Sequence, residues 1–194
     1  MIDRSAPPQP TLGGLFDSEP QHRLFLGLWP DAPVAERLVQ LMARLRRDEI
    51  MPGRPVDVDR LHLTLHHLGD FVDQIPPSLV PSAQAAAASL AAAPFEIAFD
   101  RVGGTRPQFL LRATEGSAPL LAFRQSLTAA LIKAGLRQQI VPTFNPHITL
   151  SYDFSDAPLM FIEPIRWTVR EFRFVESLLG RHKHIDRGVW PLAL

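Results

Sequence analysis

The chain has 194 residues, no cysteine, and 20 Lys plus Arg balanced by 20 Asp plus Glu. That length fits one domain or two small lobes sharing a core, and 46% hydrophobic residues suffice to fill it. The composition excludes disulfides, thiolate zinc sites, a cysteine nucleophile and a global field that recruits nucleic acid, and no apolar run reaches the ~18 residues of a membrane span. With no charged-then-apolar leader, the chain is expected to be cytoplasmic, with no membrane partner.

Residues 1–21 carry Pro7, Pro8, Pro10 and Pro20 with Gly13 and Gly14, and read as a flexible Pro-rich tail before a single domain over 22–194. Arg23 to Trp29 is a strand stopped by Pro30. Asp31 caps a helix running to about Asp48, with Val34, Leu38, Leu41, Met42 and Leu45 at helical spacing. A loop with Pro52, Gly53 and Pro55 then delivers His62-Leu63-Thr64-Leu65. Strand alternation sends Leu63 and Leu65 to a core and His62 and Thr64 to the opposite face. By the same period His66 joins His62 on that face, while His67 breaks the alternation and is expected to pack or to meet a carbonyl.

An alanine-rich helix spans 79–93 and ends at Pro94. Phe95 to Val102 alternates as a strand, Gly103-Gly104 turns the chain, and Gln108 to Ala113 forms the next strand. Ser117 caps a helix from about Ala118 to Ala134, closed by Gly135. The phrase then recurs as His147-Ile148-Thr149-Leu150, and by period Tyr152 falls on the face away from Thr149 unless the strand bulges. Arg166 to Glu176 reads as one long strand and Val189 to Leu192 as a short last one. Between them, Gly180 to Gly188 is the densest basic segment, read as a solvated hairpin tip with Arg181 and Lys183 as candidate substrate contacts.

His62 arrives 37 residues after Phe25 and His147 arrives 38 after Phe109, with a helix between in each case. The matched order implies two lobes related by a pseudo-twofold axis, which would bring the two imidazoles together across a cleft. Histidine exchanges protons near neutral pH, so a facing pair equips one site for general acid and general base chemistry. A single His-x-Thr means little; two in matched frames mean much. Neither motif holds Asp or Glu at ligand spacing, so no metal site is expected. Phe25, Trp29 and Phe144 could stack a base, although core packing is the ordinary role, and Phe144 beside the second motif is the best placed. Arg54, Arg101 and Arg106 are read as loop residues, either solvated or reaching an RNA backbone.

The two motifs have telling flanks: Arg23-Leu24-Phe25-Leu26, Leu61 to Leu65 continuing to Leu68-Gly69, Phe144-Asn145-Pro146 before His147, Glu176-Ser177-Leu178, and Trp190-Pro191-Leu192. Over residues 22–194 this set resembles the two-histidine (2H) phosphoesterases, and within them the RNA 2′,3′-cyclic phosphodiesterases, also called the 2′-5′ RNA ligase family. The resemblance implies a bilobal α+β fold with antiparallel sheets lining a central groove and helices packed outside. It also implies metal-independent opening of RNA or nucleotide 2′,3′-cyclic phosphate ends to a 2′-phosphate, which some members run backward to join tRNA halves. By similarity His62 is the proton donor to the leaving O3′, His147 the acceptor that takes a proton from water, and Thr64 and Thr149 the holders of the phosphoryl oxygens. The motifs are too alike for the sequence alone to assign acid and base. No cofactor is implied, the partner is RNA or a nucleotide with a cyclic phosphate end, and a monomer is expected. Many members carry a basic residue shortly after the second motif, where this chain has Ser151-Tyr152, so the phosphate-binding cation must come from elsewhere. The alternatives are another small cyclic phosphate, such as ADP-ribose 1″,2″-cyclic phosphate, and a non-catalytic RNA- or nucleotide-binding module.

Overall fold

The computed structural model describes residues 19–104, 107–113, 117–153 and 156–193; residues 1–18 of the expected tail and Arg106 lie outside them. The elements in chain order are β1 (His22–Leu28), α1 (Ala32–Arg47), β2 (Arg54–Pro55), β3 (Leu63–Phe71), α2 (Leu79–Ala88), β4 (Phe95–Gly104), β5 (Gln108–Arg112), α3 (Ala118–Lys133), β6 (His147–Tyr152), β7 (Ala157–Val169), β8 (Glu171–Leu178) and β9 (Lys183–Pro191). No helix among the described residues is long and apolar enough to cross a membrane.

The fold is α+β, and among the described residues nine antiparallel strands form one sheet, in the order β7-β4-β5-β6-β3-β1-β8-β9 with the short β2 paired to β6. The two His-x-Thr strands, β3 and β6, lie side by side at the centre and are joined through the pair Leu63 and Ile148. Outward from them, β1–α1–β3 and β5–α3–β6 take matching places, each strand–helix–strand unit ending on a motif.

Both long helices start as their sequences require. The Asp31 side chain accepts from the Val34 N–H at 3.0 Å and the Ser117 hydroxyl from the Leu120 N–H at 3.3 Å, each satisfying one orphan donor of a first turn. All five spaced residues of α1 are buried, and they join Leu24, Leu26, Leu28, Leu63, Leu65, Ile148 and Leu150 in one core. Burying such side chains contributes about 1.5–3 kcal/mol each. One face of the central strands is thereby committed to packing, which leaves the other to line a groove.

Several elements depart from the alternation pattern. Helix α2 stops at Ala88, five residues before the expected end. The Ser89 hydroxyl bonds the Ala86 carbonyl, a local alternative to the helical ladder, and the chain then leaves to bridge Ala92 with Ala193. The expected strand Arg166 to Glu176 is two strands: β7 pairs with β4 in one half and β8 with β1 in the other. The segment 180–188 is mostly strand, because β9 runs antiparallel to β8 from Lys183 onward. Gln21, at the expected edge of the tail, already bonds Phe71 and Leu179 through its backbone.

The readings of His66 and His67 are reversed. Leu26 pairs with His66 and Gly27 with Thr64, so Leu65 has no partner on β1 and forms a β-bulge. The bulge advances the side-chain phase by one residue. His66 therefore turns inward, 3% exposed, against Thr128 of α3, and His67 turns to the groove.

Candidate active site

The register at the centre sets the site. With Leu63 opposite Ile148, antiparallel pairing places His62 across from Thr149 and Thr64 across from His147. The four side chains form a rectangle with the imidazoles on one diagonal, where regular pairing puts Cβ atoms about 7–8 Å apart. All four line one groove of about 420 Å³.

Each ring is held by the same device. His62 Nδ1 lies 2.6 Å from the Arg60 carbonyl oxygen, and His147 Nδ1 lies 2.7 Å from the Asn145 carbonyl oxygen. A carbonyl only accepts, so both Nδ1 atoms carry the hydrogen and donate. In the neutral rings Nε2 is then the unprotonated nitrogen, the atom left to trade a proton with whatever occupies the groove.

The surroundings of the two rings differ. His62 stacks on Phe25 at 4.6 Å and on Trp29 at 5.2 Å between centroids, with His184 edge-on at 5.6 Å. Burial in this aromatic nest pushes its pKa down to about 4. The bond to the Arg60 carbonyl opposes that shift, and the neighbouring His184, Arg60 and His147 side chains add to it. His62 is accordingly neutral at pH 7 in the unliganded groove. An anion arriving beside it reverses the Coulombic part and draws a proton onto the ring.

Two arginines and further imidazoles also line the groove. Arg23 forms a two-pronged ion pair with Asp70 at 2.8 and 2.7 Å, and His67 Nε2 meets the same carboxylate at 2.7 Å. The Arg23 bond, the largest cause, helps hold Asp70 at a pKa of about 2, so this acid stays ionised. Arg60 lies at the His62 end, near His182 Nδ1 at 3.1 Å, and its Nε is buried without a hydrogen-bond partner. His184 Nδ1 is likewise buried and unpaired. The unpaired guanidinium nitrogen of Arg60 beside His62 suits an anionic ligand, while burial holds the His184 pKa below the ordinary histidine value. Behind them, the Glu176 carboxylate, 2% exposed, binds His22 at 2.6 Å and the Arg187 guanidinium, tying β1 to β8 and β9.

His62, Thr64, His147 and Thr149 are thus brought together as the sequence reading expects. Phe144 is not: it sits in an adjoining pocket with Arg124 4.4 Å over its ring, so that face is covered. Arg181 and Lys183 are exposed in and beside the β8–β9 turn, while His184 of the same hairpin lines the groove instead. Arg54 is exposed and pairs with Asp57 at 3.8 Å, and Arg54 and Arg101 belong to β2 and β4 rather than to loops. Phe25, a stacking candidate from the sequence, lines the groove, and Arg23, Arg60, His67, Gln108, Tyr152, Ser177, Leu179 and His184 complete the lining without having been singled out as site residues. Among the described residues no group of three or more His, Cys, Asp or Glu could hold a metal ion.

A sheet whose two central strands present paired His-x-Thr motifs to one groove is the architecture of a two-histidine phosphoesterase. The chain belongs to the 2′-5′ RNA ligase superfamily, whose model matches residues 29–181. It is 29% identical over 181 residues to the RNA 2′,3′-cyclic phosphodiesterase of Escherichia coli (strain K12), an alignment covering 90% of this chain and 98% of that protein. Its fold matches E. coli LigT in apo form (TM-score 0.71, 26% identity, 91% of this chain and all of that one). LigT complexed with 3′-AMP matches with the same identity and coverage at a TM-score of 0.69.

Proposed function

We propose that this chain hydrolyses the 2′,3′-cyclic phosphate end of RNA or a nucleotide to a 2′-phosphate, without a metal. It is a phosphoesterase by family; the substrate and the residue roles are the reading offered here. The observation that carries it is the matched tethering of Nδ1 in His62 and His147, which leaves both Nε2 atoms to one groove beside Thr64 and Thr149. The E. coli relative named as an RNA 2′,3′-cyclic phosphodiesterase and the LigT complexes with 3′-AMP and ATP support the substrate class.

In-line hydrolysis needs a base for water, an acid for the departing oxygen on the opposite side, and donors for the phosphoryl oxygens. His147 Nε2 takes the proton from water as the water oxygen bonds phosphorus. The P–O3′ bond breaks, and His62 Nε2 protonates O3′. Thr64 and Thr149 hydroxyls hold the non-bridging oxygens, with Arg60 supplying positive charge at the His62 end. His62 is neutral without ligand, so the phosphate anion itself recruits the proton that the leaving oxygen later receives. With the 5′-hydroxyl of a second RNA end attacking in place of water, the same steps form a 2′-5′ linkage.

The test is incubation with a 2′,3′-cyclic mononucleotide in EDTA. A 2′-monophosphate product supports the reading. Tight binding without turnover identifies a binding module, and turnover of ADP-ribose 1″,2″-cyclic phosphate alone identifies a different substrate for the same site.

A further inference from the structure

Helices α1 and α3 repeat one design. Each has 16 residues, follows a capping side chain and opens on Ala-Pro. Placed in phase at their caps, Val34, Leu38, Leu41, Met42 and Leu45 of α1 correspond to Leu120, Arg124, Leu127, Thr128 and Leu131 of α3. All five α1 residues are buried core, whereas α3 keeps leucine at three places and interrupts the stripe with Arg124 and Thr128. Polar groups on a core face cost stability unless they are bonded, and the bonds of these two share a direction.

Arg124 Nε donates to the carbonyl of Leu65, the bulge residue of β3, at 3.1 Å, and Thr128 meets His66, the next residue. The other end of the guanidinium donates to the Val141 carbonyl at 2.7 Å, and its face covers Phe144. Burial holds the Arg124 pKa below its ordinary value, so the charge is kept there against a solvation cost. Arg124 thus fastens β3 to residues 141–146, which form no helix, strand or hydrogen-bonded turn and run directly into His147. Asn145, whose carbonyl tethers His147 Nδ1, belongs to that stretch. Pro146 biases Asn145 toward extended backbone but does not fix where the segment lies. The tether of His62 is built differently: the Arg60 carbonyl belongs to the 3₁₀ turn Val58–Arg60, closed by the Arg60 N–H on the Asp57 carbonyl at 2.9 Å.

We propose that Arg124 is a positioning residue for the base. By clamping residues 141–144 to the β3 bulge, it holds the Asn145 carbonyl on His147 Nδ1 and keeps Nε2 of that ring unprotonated and aimed into the groove. This rests on the acid–base reading above and adds to it a residue outside the groove lining. Without the clamp the carbonyl drifts, and the neutral ring also takes the form protonated at Nε2, which cannot accept a proton from water.

Arg124→Met keeps an unbranched side chain and removes both bonds. On a 2′,3′-cyclic nucleotide it is expected to lower kcat about 10- to 100-fold with KM within about threefold, the cost of a misplaced catalytic group. In ¹⁵N spectra of the neutral rings, the hydrogen of His147 in the variant is shared between the two nitrogens, while His62 keeps its hydrogen on Nδ1. Arg124→Lys, which still donates to a carbonyl, recovers kcat at least about threefold above Arg124→Met. Unchanged kcat overturns the proposal, and so does a loss in which His147 keeps the wild-type tautomer or both rings change together. Should Arg124→Met not fold, Arg124→Lys carries the test: a partial tautomer change at His147 alone supports the clamp, and none overturns it. If the wild type turns over no cyclic nucleotide, the acid–base reading has failed and the ring spectra alone decide. A change confined to His147 then supports the clamp, and an unchanged His147 overturns it.

Discussion

His67 and Tyr152 occupy equivalent places in the two motifs, each five residues after its histidine and each lining the groove. Both reach it through the same irregularity. In β3 Leu65 has no partner on β1, and in β6 Leu150 has none on β5, because Leu110 pairs with Thr149 and Phe109 with Ser151. Each bulge turns the next residue to the core, His66 at 3% exposure and Ser151 at 0%, and the one after it back to the groove. The duplication therefore extends beyond the His-x-Thr phrase to its backbone defect. It also places Tyr152 on the substrate side, where simple alternation puts it on the other.

A residue that lines the groove without trading a proton should affect binding more than chemistry. Tyr152→Ala is expected to raise KM about five- to tenfold with kcat within about threefold. Steady-state kinetics on a 2′,3′-cyclic nucleotide decides it, and a 100-fold loss confined to kcat would give Tyr152 a part in the reaction.

Replacing either His62 or His147 by Ala is expected to cost at least ~100-fold in turnover, the usual weight of a positioned acid or base. The residual activities distinguish the roles. In His62→Ala only the neutral base at His147 still matters, so residual kcat/KM rises with pH. In His147→Ala only the protonated acid at His62 matters, so it falls as pH rises. The opposite slopes would exchange the two assignments. The wild-type profile is bell-shaped, with apparent values belonging to the pair.

One buried imidazole, His66, and one half-buried one, His62, make the fold acid-sensitive. Burial lowers both His62 and His66 from 6.5 to about 4, and for His66 the Arg124 cation adds to the effect. Between those values the unfolded chain binds more protons than the folded one, so stability rises with pH across that window and is lost as pH falls through it. Thr128 donates its hydroxyl hydrogen to the Arg124 carbonyl, so His66 Nε2 must donate to Thr128, a bond that glutamine can imitate. His66→Gln is expected to remove roughly 1–3 kcal/mol of the stability difference between pH 7 and 4.5. Denaturant unfolding at the two values checks it; an unchanged difference would refute the assignment.

Gly27 keeps the aromatic nest in place. A Cβ there would lie 2.9 Å from the Leu63 carbonyl oxygen and 3.2 Å from the Trp29 ring, with Phe25 at 3.5 Å. Gly27→Ala must displace backbone or the ring on which His62 stacks, so a loss of about 1–3 kcal/mol is expected. A fall in kcat should accompany it, read by thermal unfolding and kinetics together. Full activity with unchanged stability would show that the nest tolerates the shift.

Features written locally were legible in the sequence. The five core positions of α1, the caps Asp31 and Ser117, and the face shared by His62 and Thr64 all follow from periodicity and capping chemistry. The break between β7 and β8 also left a trace, since Ile165, Trp167 and Val169 are buried at odd positions and Phe172 and Phe174 at even ones, a slip at Arg170 with no Gly or Pro to mark it. The bulges left none, because an unpaired leucine exists only relative to its partner strand. Arg23, Arg60 and His184 come from three distant segments, and only the order β3-β1-β8-β9 brings them to one groove. Long-range pairing, rather than local propensity, assembles the charge around the histidines.

The central claim is that one phosphate group engages both imidazoles through Nε2. It is tested most directly by recording ¹⁵N spectra of the histidine rings while adding a nucleoside 2′-monophosphate. The account predicts that Nε2 of His62 and of His147 shift together along one binding curve while both Nδ1 atoms keep their hydrogens. Shifts at one ring alone, or two curves with different midpoints, would contradict it.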